Sequence, residues 1–158
     1  MTSDPIQDSY PYEYSHCYGC GRFNEQGLQI KSYWDGEEAV CTFTPQPHHV
    51  AVPGYVYGGL IASLIDCHGI ATAAAVKYHA EGREIGSEPR LRYVTAALHV
   101  DYERPTPLGV PLEIRARAVE VKGRKVVVRA TLSAEGQVCA RGDVVAVQIP
   151  EHMISGPT

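Results

Sequence analysis

Tyr57-Gly-Gly-Leu-Ile-Ala-Ser-Leu-Ile-Asp-Cys-His-Gly-Ile-Ala-Thr-Ala-Ala-Ala-Val-Lys-Tyr-His79 is the stretch on which the fold turns. Leu60, Ile61, Leu64, Ile65 and His68 recur at helical spacing and form an apolar stripe. From Ile70 to Val76 small and apolar residues occupy nearly every face. A helix of that composition is buried on several sides, and at 1.5 Å per residue it spans roughly 30 Å. A bilayer-crossing reading would put Asp66 near mid-membrane at a cost of roughly 2.5 kcal/mol or more. The stretch is therefore read as a core helix.

Outward from it, strands are expected on both sides. Leu28 to Tyr33 and Glu38 to Phe43 flank the hairpin signal Asp35-Gly36. Thr44 to Gly54 holds three prolines and a glycine and is a loop. After a charged loop over residues 80–91, four strands are predicted: Tyr93–Glu103, Leu112–Val121, Lys125–Ala134 and Gln137–Ile149. Their alternation leaves one face apolar and sets Arg115, Arg117, Glu120 and Arg129 on the other. Consecutive strands joined by tight turns pair antiparallel. One helix cannot cover six strands unless the sheet curls around it. The expected fold class is α+β, an antiparallel sheet wrapped around one long central helix. An edge strand is then left for a second chain, and an oligomer is expected.

The 158 residues suit one domain, expected over 17–150 between a flexible arm (1–16) and a C-terminal tail (151–158). A formal net charge of −4 supplies no field for a nucleic-acid backbone. The first residues lack the basic start and apolar run of a signal or transit peptide, so a cytoplasmic protein without membrane contact is expected. Five scattered cysteines do not resemble a secreted disulfide framework. Cys17-Tyr-Gly-Cys20 has the spacing of half a zinc site, but no second pair completes it in the sequence. Reduced thiols in a turn are the plainer reading; a metal knuckle or a redox pair stays open.

Three motifs in order bear a family resemblance. Gly54-Tyr-Val-Tyr-Gly-Gly-Leu-Ile-Ala-Ser-Leu-Ile-Asp66 resembles the helix entry of the PaaI-like acyl-CoA thioesterases, hotdog-fold proteins of the 4-hydroxybenzoyl-CoA thioesterase superfamily. Cys17-Tyr-Gly-Cys-Gly with Asn24 and Gly27-Leu28 looks like their opening, and Asp101-Tyr-Glu-Arg-Pro-Thr-Pro-Leu-Gly109 like their strand-to-turn signature. The likeness covers residues 17–149. It implies a hotdog fold and hydrolysis of an acyl-CoA substrate by a homodimer or a dimer-of-dimers tetramer, with no metal or redox cofactor. It also makes the amide of one protomer face the carboxylate of another. Two positions depart from the pattern: Tyr57 stands for the family His, and Ala51 for an Asn or Gln. The Tyr57 hydroxyl, His48 or His49 could fill the first role.

The chemistry of these positions can be argued alone. The first N–H groups of a helix have no partner within it, so Gly58 and Gly59 present donors and the positive dipole end to a polarised carbonyl. Asp66 is expensive to bury in an apolar stripe unless something uses it, as a base toward water or a nucleophile toward an acyl group. Gly58 and Asp66 are about 12 Å apart along one helix, too far to share one thioester. By the resemblance, Thr95 supplies a hydroxyl beside Asp66. Catalytic candidates are thus Asp66, Gly58, Gly59, Thr95 and Tyr57. Substrate-binding candidates are His49, Ser63, Arg104, Lys122 and Arg124, the cationic ones for coenzyme A phosphates. A rival reading is an acyl-CoA-binding module that does not hydrolyse its ligand.

Overall fold

Alternation in the second half of the chain becomes four long strands in the computed structural model, which describes residues 1–150 and His152. The expected tail at 151–158 lies outside the described residues, His152 apart. The strands are β1 (Tyr33–Trp34), β2 (Ala39–Phe43), β3 (Tyr93–Tyr102), β4 (Leu112–Lys122), β5 (Lys125–Ala134) and β6 (Gln137–Gln148). They form a single antiparallel sheet in the order β1-β2-β4-β5-β6-β3. The helix, α1, runs from Gly58 to Ala80 and packs against β2 through β6. This is the hotdog fold, as the sequence implies.

Hairpin chemistry sets the register. Glu135 and Gly136 both take positive φ (52° and 79°), which is what a two-residue turn with the twist of the flanking strands requires. The apolar side of each strand then meets α1: Leu112, Ile114, Val126, Val128, Leu132 and Val144 are fully buried. Their neighbours point outward, where Arg115 bridges Glu38 and Arg129 bridges Asp143. Helix and sheet approach closely. A Cβ at Gly69 would fall 2.6 Å from the Val144 side chain, and one at Gly142 would fall 2.8 Å from the Ile65 side chain.

Two expectations change. The first strand is not Leu28–Tyr33 but the short β1, because Gln29 takes φ 58° and the preceding backbone bonds to a loop instead. Leu28 N donates to Tyr18 O and Ile30 N to Gly19 O. The arm expected to be flexible forms two 3-10 turns, Ile6–Ser9 and Tyr12–Tyr14. It buries Ile6 and Tyr10, and Ile6 N donates to Ser32 O.

Candidate active site

The proline loop delivers the start of α1. Tyr57 N donates to His49 O, Val56 N to Thr106 O, and Leu108 N to Gly54 O, so this loop is tied to the turn after β3. The first helical hydrogen bonds run from Leu60 N and Ile61 N to Tyr57 O. The Gly58 and Gly59 amides precede them. Tyr57 provides no side-chain cap, and no acidic side chain sits in the first turn. The dipole end is left unneutralised. Tyr102 donates its hydroxyl to Gly58 O (2.7 Å), fixing the far end of β3 to this turn. The Tyr57 ring lies over Gly59, where a Cβ would fall 2.3 Å from it.

Two turns on, Asp66 is half-buried and accepts a 2.6 Å hydrogen bond from Thr95 Oγ1 at its Oδ1. Thr95 stands beside a bulge: it pairs with Ala146 while Ala97 pairs with Val145, so Ala96 is the extra residue. Such a bulge re-aims the side chains next to it. Among the described residues Asp66 forms no ion pair. A cavity of about 150 Å³ opens here, lined by Asp66, Thr95, Cys17, Cys20, Cys67 and Arg92 among others. A wider groove of about 650 Å³, between residues 2–9 and the C-terminal part of α1, holds none of the expected site residues.

The other candidates scatter. Ser63 donates to Gly59 O (2.9 Å), so its proton is used within the helix. His49 Nδ1 accepts from Gln46 N (2.9 Å). Partial burial, then the neighbouring His48, hold its pKa below the usual histidine value. Arg104 donates to Gln137 Oε1 near the start of β6. Lys122 and Arg124 sit at the other end of the sheet, where Arg124 O accepts from Gln148 N. Nine residue steps along β6, from Cys139 to Gln148, separate the two ends by about 30 Å, and one protomer cannot bring all three cations to one phosphate.

Tyr102, Cys67 and Arg92 belong to the site's surroundings and are absent from the candidates named in the sequence. Tyr102 falls inside the Asp101–Gly109 motif; the other two carry no sequence signal of their own. Cys17, Cys20 and Cys67 bring their sulfurs within 4.8 Å of one another. Hydrogen bonds from the Cys20 and Cys67 thiols, then from the Cys20 and Gly19 amides, push the Cys17 thiol far down. Cys20 is pushed up to about 12, first by its bond to Cys17.

A curled sheet on one helix, with an amide-rich helix start and a hydroxyl-bonded carboxylate, defines a hotdog protein of the thioesterase type. The chain belongs to the thioesterase superfamily, whose sequence profile matches residues 53–140. A thioesterase superfamily protein of Shewanella loihica superposes with a TM-score of 0.66 at 48% identity, over 89% of this chain and 100% of that one. The E. coli PaaI protein superposes at 0.63 with 20% identity, over 78% and 81% of the two chains, a likeness of fold. Acyl-coenzyme A thioesterase THEM4 of Xenopus laevis is 37% identical over 87 residues. The rat protein of that name is 30% identical over 110. Those alignments cover 55% and 68% of this chain, which spans only 33% and 42% of the two relatives' lengths.

Proposed function

We propose that the protein hydrolyses acyl-CoA thioesters at a site shared by two protomers, in the cytoplasm and without a metal or redox cofactor in the chemical step. The Gly58 and Gly59 amides of one protomer polarise the thioester carbonyl. Asp66 of the other takes a proton from water, or attacks the acyl carbon itself, and Thr95 orients it. In the water route the water oxygen bonds to the acyl carbon, the C–S bond breaks, and the coenzyme thiolate leaves and is protonated.

One observation carries this reading: among the described residues the Asp66 carboxylate is held by Thr95 and by no cation, at the wall of a cavity. The sheet supports the two-protomer arrangement. β3 is an edge strand with Val94, Leu98 and Tyr102 exposed, a surface suited to pairing with a second copy. Antiparallel pairing centred between Leu98 and His99 would set Thr95 opposite the partner's Tyr102, whose hydroxyl reaches Gly58. It would also bring Arg104 toward the Lys122 and Arg124 end of the other chain, so that coenzyme A phosphates could meet cations from both.

The Tyr57 ring over Gly59 favours the rival reading, a protein that binds acyl-CoA without cleaving it. A panel of acyl-CoAs, assayed for thiol release and for thermal stabilisation, separates the two. Release by the parent and a loss of at least 100-fold in Asp66→Ala, as removal of a general base predicts, are expected. Stabilisation without release would establish the binder. Equal turnover in Asp66→Ala would remove Asp66 from the mechanism.

A further inference from the structure

Cys17-Tyr-Gly-Cys20 lacks a partner in the sequence, and the fold supplies one. α1 points Cys67 into the turn, leaving Cys17 Sγ and Cys67 Sγ 3.9 Å apart and all three sulfurs within 4.8 Å. With zinc–sulfur bonds of about 2.3 Å, the sulfurs of a tetrahedral site lie about 3.8 Å apart. The cluster therefore matches a zinc site closely before any ion draws it in.

The turn is built to hold that approach. A Cβ at Gly19 would fall 2.3 Å from Cys67 Sγ, so glycine is what lets the thiol enter. At Gly21 a Cβ would fall 2.3 Å from Cys17 N, and Gly21 N closes the turn on Cys17 O (2.8 Å). The Gly19 and Cys20 amides add to the preference for a Cys17 thiolate, as donors outside a metal's own ligands do. Gln29 Nε2 ties the loop further by donating to Gly21 O and Asn24 O.

We infer that Cys17, Cys20 and Cys67 form a zinc(II) site that clamps the N-terminal turn to α1 beside Asp66. Three thiolates and Zn²⁺ carry a net charge of −1, and Arg92 answers it from the same cavity. Its guanidinium stacks on Tyr10 (4.9 Å), while its buried Nε has no hydrogen-bond partner among the described residues. The fourth position faces the cavity and takes water. The thiol protons leave to solvent on binding, so affinity falls in acid.

The test reads metal, not turnover, and stands apart from the proposed hydrolysis. Full-length protein, kept reduced and stripped with a chelator, is titrated with Co²⁺ and then Zn²⁺. One ion per chain is expected, with sulfur-to-cobalt charge-transfer absorption that Zn²⁺ abolishes. Cys67→Ser should weaken binding at least tenfold; Cys139→Ser should not change it. X-ray absorption on the zinc-loaded parent, which needs no variant to fold, should find three sulfurs and one lighter atom. Substoichiometric metal, a sulfur count below three, or unchanged binding in Cys67→Ser would overturn the site. So would a reduced protein that refuses metal and forms a Cys17–Cys67 disulfide on oxidation.

Discussion

His68 offers the most direct test of how the core is held. The imidazole is fully buried, with Nε2 3.0 Å from Ala39 O and Nδ1 2.8 Å from Ser32 Oγ. A carbonyl only accepts, so Nε2 carries the proton and Nδ1 accepts from Ser32. Ser32 Oγ in turn accepts from Gln7 Nε2, and Ser32 N donates to Gln7 Oε1. The network suits a neutral ring and has no place for a second proton. Burial accordingly lowers the His68 pKa from 6.5 to about 4, against smaller upward pulls from Ala39 O and Glu38.

Above pH 6.5 the ring is neutral in folded and unfolded chains alike, and its contribution to stability is complete. As pH falls from 6.5 toward 4 the unfolded chain binds a proton that the folded one does not, and stability drops. A separation of about 2.5 pH units at 1.36 kcal/mol each amounts to about 3 kcal/mol. Urea unfolding of parent and His68→Gln, at fixed protein concentration from pH 8 to pH 4, cancels the acid response of other groups. The stability advantage of the parent should shrink by about 3 kcal/mol between pH 7 and pH 4. A parallel pair of curves would refute the assignment of a neutral, network-bound imidazole.

Other substitutions probe separate links. Gly69→Ala should lose about 1–2 kcal/mol in the same unfolding assay, since crowding Val144 outweighs the gain in helix propensity; unchanged stability would mean that helix and sheet are less closely packed. Thr95→Val keeps the side-chain shape but removes the donor to Asp66, and about a tenfold fall in kcat/KM is expected for a hydrogen bond to a charged group at an exposed site; an unaltered pH profile and rate would reduce Thr95 to a packing residue. Leu98→Lys places a charge on the exposed β3 edge, and sedimentation should show monomers with turnover lost before fold; a parent already monomeric, yet active, would end the shared-site proposal.

Most of the architecture was legible because its signals are local. β5 occupies Lys125–Ala134 as alternation and the flanking turns predict, and α1 begins one residue after Tyr57, its expected start. Where pairing is non-local the reading fails. Nothing within Leu28–Tyr33 announces that its backbone will bond to Tyr18 and Gly19 rather than to a strand. Nor does the tyrosine-rich N-terminus reveal that Ile6 and Tyr10 will be buried. The site divides in the same way. Asp66 stands out as a carboxylate in an apolar stripe, whereas Thr95, 29 residues away, looks like any strand threonine until family resemblance singles it out. Cys67 was invisible as a partner for Cys17, 50 positions distant.

Asp66, Cys67 and His68 are consecutive on α1, and each step of a helix turns by about 100°. They consequently face three different partners: Thr95 on β3, the cysteine turn, and the buried pair Ser32 and Ala39. Two of those walls come from residues 1–43, ahead of the span matched by the family profile. The N-terminal segment encloses a thiol and an imidazole that the helix could not otherwise keep from water, and it narrows the cavity at Asp66 from one side. Its other side is the β3 edge, which no strand of the described residues pairs with beyond β6. In the proposed two-protomer site the carboxylate would lie between a wall the protomer builds for itself and one that a second copy supplies, and a reaction drawing groups from both chains would assemble only when both are present.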